Sequence, residues 1–131
     1  MTLPVTIDRL DHLVLTVADV EATCEFYGRV LGMEKIVFGS PARVALGFGQ
    51  QKINLHPLVN DYDTKAIEPT PGSADFCLIT DVPVDEVIRH LLASNVEIIE
   101  GPIAKSGAMG PLNSVYFRDP DGNLLEVSNY V

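Results

Sequence analysis

Two imidazoles and two carboxylates stand at matched places in this chain. They are His12 and His56 in the first half, then Asp75 and Glu126 in the second. Such a set suits a divalent metal: Mn, Fe, Co, Ni or Zn. Two anionic ligands cancel the charge of the cation. An octahedral ion would keep two open positions for water or a chelating substrate. The chemistry is then Lewis-acid chemistry, with adjacent substrate oxygens on the metal and a developing oxyanion stabilised there. A carboxylate beside the metal, Glu126 first and Asp75 second, can also move a proton as general base. Each residue alone has a plainer reading. A histidine in a strand is commonly structural, Asp75 could cap the turn after Gly72-Ser73, and Glu126 could be a solvated strand residue. The case for the four rests on their matched positions.

Those positions come from an internal repeat. His12-Leu-Val-Leu-Thr-Val lies over Asp75-Phe-Cys-Leu-Ile-Thr at an offset of 63 residues, and Leu31-Gly-Met-Glu over Ser94-Asn-Val-Glu at the same offset. Toward the module ends the best overlay is Asn54-Leu-His56-Pro on Leu124-Leu-Glu126-Val, an offset of 70. Module one runs from about 9 to 58 and module two from about 73 to 130, within one domain spanning 1–131. Each reads as βαβββ, an α+β arrangement.

Within module one, Leu10 to Val17 alternates and is β-branched, which predicts a strand. Asp19 caps a helix through Leu31, with Val20, Cys24, Tyr27 and Leu31 on one face, and Gly32 stops it. Extended segments follow at 34–38, 42–48 and 52–56. Module two starts with a strand over 75–80. A helix over 83–94 then turns Val84, Val87, Ile88, Leu91 and Leu92 inward, and 96–99 is extended. A final hairpin joins 114–118 to 123–128 through Asp119-Pro120-Asp121-Gly122, where Gly supplies positive φ. Strand alternation places His12 with Val14 and Thr16, His56 with Asn54 and Lys52, Asp75 with Cys77, and Glu126 with Ser128. The opposite faces carry Leu13, Leu15, Val17, Ile53, Leu55, Phe76, Leu78, Leu125 and Val127, which pack on helices. The four polar residues therefore share the less hydrophobic face.

Composition bounds the rest. The chain has 131 residues, 47% hydrophobic and 21% charged, with 18 acids against nine bases for a formal charge of −9. That is ordinary for a soluble globular protein and repels nucleic-acid phosphates. No apolar stretch reaches the roughly 18–20 residues of a membrane helix. The first nine residues lack a signal-peptide pattern. Cys24 and Cys77 are far apart, which fits a cytoplasmic protein better than a disulfide scaffold. Neither a phosphate cradle nor a serine nucleophile motif is present.

The segments LDHLVLTVAD (10–19), FYGRVLGME (26–34) and YFRDPDGNLLEV (116–127) resemble the vicinal oxygen chelate superfamily. That superfamily includes glyoxalase I, fosfomycin-resistance thiol transferases, methylmalonyl-CoA epimerase, extradiol dioxygenases and bleomycin-resistance proteins. KINLH, PGSADFCLIT, GPIAKSGAMGP and FRDPDGNLLEVSNY are most similar to the glyoxalase domain-containing protein 5 group. The resemblance covers about 9–130. It implies paired βαβββ modules forming a curved mixed sheet around a metal cup, with ligands at His12, His56, Asp75 and Glu126. It also implies a homodimer, often with sites shared between chains. Asp75 departs from the pattern, since glyoxalase I, the dioxygenases and the fosfomycin enzymes typically carry His there. A dioxygenase triad is thereby disfavoured.

The implied activity is that of a metal-dependent lyase or isomerase on a small oxygen-rich substrate. The alternatives are a fosfomycin-type thiol transferase and a non-enzymatic bleomycin-resistance-type binder. The stretch 101–113 resembles a substrate-covering loop, in which Lys105 could hold an anionic substrate group or be a solvated lysine. Arg43 could meet an acid or a substrate.

Overall fold

The structure is a computed structural model and describes residues 4–131. Its order is β1 (His12–Val17), α1 (Val20–Leu31), β2 (Glu34–Phe38), β3 (Arg43–Phe48), β4 (Gln51–Pro57), β5 (Asp75–Ile79), α2 (Val84–Ala93), β6 (Ile98–Gly107), β7 (Gly110–Arg118) and β8 (Leu124–Tyr130). The strands form two four-stranded sheets, ordered β1-β4-β3-β2 and β5-β8-β7-β6. In each sheet the first strand of its module is an edge strand, parallel to the last strand of that module, and the other pairs are antiparallel. The doubled βαβββ order and the α+β class agree with the sequence. Among the described residues no helix is long and apolar enough to cross a membrane.

Local chemistry explains the helices. The Asp19 side chain accepts from Ala22 N at 3.0 Å, and Gly32 ends α1 at φ 67° in the left-handed region. These satisfy backbone groups that a helix cannot pair internally. Helix α2 starts at Pro83 without a side-chain cap of its own. Its first amide, Val84 N, instead donates to Asn129 Oδ1 of β8 at 2.9 Å. Val84, Val87 and Leu91 are buried as expected, but Leu92 is exposed, because it falls off the narrow stripe that α2 turns to its sheet.

The segment 101–113 is not a free loop. It forms most of a β-hairpin, with β6 and β7 paired from Ile103–Ser114 to Gly107–Gly110. Ala108 and Met109 make a two-residue turn between two glycines, a hairpin connection that composition alone disguised. The register slips between Glu100 and Ile103. Gly101 sits there at φ 132°, where a Cβ would lie 2.7 Å from the Ser114 carbonyl oxygen. Only glycine permits that approach.

One apolar core joins the modules. Leu15, Val17, Ile53 and Leu55 of the first sheet, Phe117, Leu125 and Val127 of the second, and residues of both helices form one buried cluster. The Phe26 ring of α1 lies 6.5 Å from the Phe117 ring of β7. Beside it the buried Tyr27 hydroxyl donates to Asp119 Oδ2 at 2.7 Å. Asp119, also buried, accepts on Oδ1 from the Asp121 and Asn123 amides and on Oδ2 from Asn123 Nδ2. The carboxylate is satisfied by groups from both modules, as burial of a charge requires.

Burial, then the Asp119 charge and hydrogen bond, raises the Tyr27 phenol above its ordinary range. The neutral phenol is thus the folded form, and unfolding releases its proton above about pH 10. Stability should therefore fall as pH rises past 10. Tyr27→Phe should cost about 1.5–3 kcal/mol at pH 7, with an unchanged denaturant slope, and should reduce the alkaline loss. Urea unfolding at pH 7 and above pH 10 checks both.

Candidate functional site

The face of each sheet turned from the helices carries the candidate groups, and strand register decides which of them meet. His12 faces Lys52 across the β1–β4 pair, while His56 faces Thr16. The two histidines are thus four rungs apart, about 13 Å along the strands at roughly 3.3 Å per residue. Asp75 faces Leu124 and Cys77 faces Glu126, so Asp75 and Glu126 are two rungs apart. The last strands of the modules consequently correspond at an offset of 72, Lys52 with Leu124, rather than 70. The structural counterpart of Glu126 is Asn54, and that of His56 is Ser128. The sequence overlay had the right face and the wrong rung. Alternation has period two, so a two-residue slip leaves every side chain on its expected side.

Among the described residues, no three His, Cys, Asp or Glu side chains of one chain come together as a metal site. What the fold provides is two half-sets at two open sheet edges. The first is His12 and Asn54 on β1 and β4. The second is Asp75 and Glu126 on β5 and β8. Each half leaves polar atoms without a hydrogen bond within 3.5 Å among the described residues. His12 Nδ1 donates to the Asp11 carboxylate at 2.7 Å, leaving Nε2 free. That bond fixes the tautomer as outer carboxylates do for ligating histidines, and it holds the Asp11 carboxyl below its usual range. The Asn54 Oδ1 atom is buried and has no hydrogen-bond partner. An orphaned buried acceptor is costly unless something outside the chain pairs with it.

Glu126 is held on one side only. Its Oε2 accepts from Ser114 Oγ at 2.7 Å and Ser128 Oγ at 3.3 Å, and the two hydroxyls are 2.6 Å apart. Both serines are fully buried. Cys77 Sγ joins the row 3.4 Å from Ser128 Oγ, and desolvation raises its thiol pKa. The serines orient the carboxylate and leave Oε1 without a hydrogen bond within 3.5 Å, although the Tyr116 hydroxyl and the Cys77 thiol lie close enough to interact with the carboxylate. Asp75 is exposed and makes no side-chain hydrogen bond among the described residues, so it does not cap the preceding turn.

Tyr116 is the cross-strand neighbour of Glu126. Desolvation, then the Glu126 carboxylate, pushes its phenol up to about 12. Lys105 Nζ lies 5.6 Å from the Tyr116 ring centre, on β6 of the same sheet. The ligand donors fit a divalent cation: one imidazole nitrogen, one amide oxygen and two carboxylates.

Three residues missed by the sequence reading shape this site. Asn54 was visible on the right face but assigned to no role, and counting rungs from β1 would have found it. Ser114 and Ser128 carried no signal, because a buried serine hydroxyl looks like any other strand residue. His90 is structural, with Nε2 bonded to the Val30 carbonyl at 2.8 Å. Removing the charge with Glu126→Gln should lower the Tyr116 pKa from about 12 toward 10. Absorbance titration of the phenolates, with Tyr116→Phe to assign the transition, checks this.

The chain matches the model of the Glyoxalase/Bleomycin resistance protein/Dioxygenase superfamily over residues 9–127. It is 51% identical over 125 residues to virulence protein STM3117 of Salmonella typhimurium, covering 95% of this chain and 86% of that protein. It is 30% identical over 122 residues to metallothiol transferase FosB of Shouchella clausii, covering 92% and 80%. Among solved structures, an integron cassette protein from the mobile metagenome of V. cholerae is 51% identical. It superposes with a TM-score of 0.95 over 98% of this chain and all of that one. The repeat, the doubled sheet and these matches together establish that the chain belongs to the glyoxalase/bleomycin resistance/dioxygenase superfamily.

Proposed function

We propose that this chain is a metal-dependent lyase or isomerase of glyoxalase type, working in a cup shared by two copies. Its substrate would be a small molecule with adjacent oxygens, such as the thiol adduct of an α-keto aldehyde. The observation that carries the reading is the one-sided hold on Glu126, with Oε2 on two buried serines and Oε1 open. The buried Asp119, by contrast, has both oxygens satisfied within the fold.

The cup follows from the open edges. Strands β1 and β5 each lack a partner on one side. Exposed apolar side chains stand on them, Val14 and Ile79. An unpaired edge with apolar neighbours is a template for another chain. Laying β1 of one copy beside β5 of a second would join the sheets and bring both half-sets together. His12, Asn54, Asp75 and Glu126 would then hold the ion, and His56 falls outside the set by its register. A divalent metal (Mn, Fe, Co, Ni or Zn) there would supply Lewis-acid polarisation of two adjacent substrate oxygens.

The chain's own groups do the rest. Glu126 takes and returns the substrate proton through its open oxygen, and Ser114 and Ser128 keep that oxygen aimed. Asp75 supplies the second negative charge. Lys105 adds a positive charge on the second sheet, with Tyr116 neutral beside it at working pH. Metallothiol transfer is a second reading, favoured by the 30% identity with FosB. It would use the same metal cup with an epoxide in place of the keto-aldehyde adduct, so activity on the two substrates separates them.

Protein purified without a His tag should carry about one divalent transition metal per chain. Both His12→Ala and Glu126→Ala should lose it, and Glu126→Gln should lose turnover with the fold intact. Metal absent from the wild type, even after incubation with Mn, Ni, Zn and Fe, would favour a ligand-binding role instead. Mixing His12→Ala with Glu126→Gln tests the shared cup. A mixed dimer regains one site with native His12 and Glu126, so activity should return on mixing. A site built within one chain would regain nothing.

A further inference from the structure

The face of the first sheet turned from the helices carries polar groups that the proposed metal cup does not use. Of the nine cationic side chains, Arg9, Arg29 and Lys35 are paired with carboxylates. Arg43 and Lys52 have no carboxylate within 4.0 Å and no side-chain hydrogen bond among the described residues. Each is instead laid on an aromatic ring. The Arg43 guanidinium sits 4.3 Å from the Tyr62 ring centre, and Lys52 Nζ lies 3.8 Å from that of Phe38.

The two cations belong to one surface. Arg43 pairs with Phe38 across β2 and β3, and Lys52 reaches from β4 to the same Phe38 ring. The His56 ring also packs on Tyr62, edge-on, at 4.5 Å between centres. His56 is buried, and desolvation followed by the charges of Arg43 and Lys65 lowers its pKa. It adds no third positive charge at neutral pH, so it serves as a polar wall. The acids nearby are Asp11, whose carboxyl feels the Lys52 charge without pairing to it, Glu34 on β2, Asp61 and Asp63 flanking Tyr62, and Glu68 in a hollow of about 180 Å³ shared with His56 and Lys65. None of them forms an ion pair with Arg43 or Lys52.

Stacking fixes the plane of a guanidinium while leaving its edge donors free, which is the arrangement that grips a planar or tetrahedral oxyanion. In a chain of net charge −9, Arg43 and Lys52 put two ring-held cations without a carboxylate partner on one face, beside the orphaned Asn54.

We propose that Arg43 and Lys52 form an oxyanion subsite for the acidic group of the substrate, a carboxylate or a phosphorus oxyanion. Arg43 is the fork, Lys52 the second cation, and Tyr62 and Phe38 the platforms that hold them. The subsite rests on the reading that substrate binds this face. It names the substrate as an organic acid. Its position on β3 and β4, beside Asn54, puts the anionic group at one side of the cup and the reacting oxygens at the ion.

The test uses the full chain freed of metal with chelator, so it does not depend on the metal reading. Ring signals of His56 and Tyr62 are followed by NMR as inorganic phosphate or acetate is added at low ionic strength. Saturable shifts of these rings are expected with at least one anion, and the tighter one identifies the class of acid. Arg43→Gln should weaken binding at least about tenfold, the loss of a charge-assisted hydrogen bond. If its unfolding curve departs from wild type, Arg43→Lys and Lys52→Gln decide instead, each with weaker binding. No saturable shift with either anion, or affinity unchanged in the deciding variants, overturns the subsite. So does a shift confined to His12. Metal content of Arg43→Gln should equal wild type, so failure of the subsite and failure of the metal cup read out separately.

Discussion

A buried carboxylate between the two modules is the constraint on which the arrangement depends. Asp119 turns the β7–β8 connection by accepting two amides, and it accepts the Tyr27 hydroxyl from a helix of the other module. The backbone of Ala18 extends the link by donating to Asp121 Oδ1. A charge at this depth is tolerated only while all these donors stay in place. The turn, the helix and the contact between modules are therefore fixed together. Apolar packing of Phe26 on Phe117 supplies area, and the Tyr27–Asp119 bond supplies the register of one module on the other.

That docking consumes the helix-facing surfaces of both sheets and leaves the opposite faces free. It also leaves β1 and β5 as edges. The same constraint thus explains why candidate ligands appear as two half-sets instead of one site. Three polar groups on the inner faces are held on one side: His12 by Asp11, Glu126 by two serines and Arg43 by Tyr62. Asp119 shows the opposite habit, with both of its oxygens engaged inside the fold.

Electrostatics sharpen the division. Desolvation moves the Tyr116 phenol up and the His56 ring down, which widens the pH range over which both are neutral. Formal charge on the inner faces therefore comes from carboxylates and from the unpaired cations. An acidic protein that assigns oriented cations to one face has set a local field against its own average, and local fields govern which end of a small acid enters first.

Sequence by itself determined the repeat, the element order, the capped first helix, the final turn and the face on which each strand residue stands. These depend on local propensity, glycine and period-two alternation, all of which act over a few residues. Leu92 and the segment 101–113 escaped it, because the width of a helix stripe and the pairing of a glycine-rich stretch depend on what lies opposite. Only the tertiary structure decided the rung. Alternation is blind to a two-residue slip, and the hydrogen-bonded partners of β1 and β5 are what exchanged His56 for Asn54 as the counterpart of Glu126. The serine hold on Glu126 and the stacking of Arg43 on Tyr62 were likewise invisible, since both join residues brought together by pairing or by a connecting loop. Face is a property of one strand, whereas register and contact are properties of its neighbours.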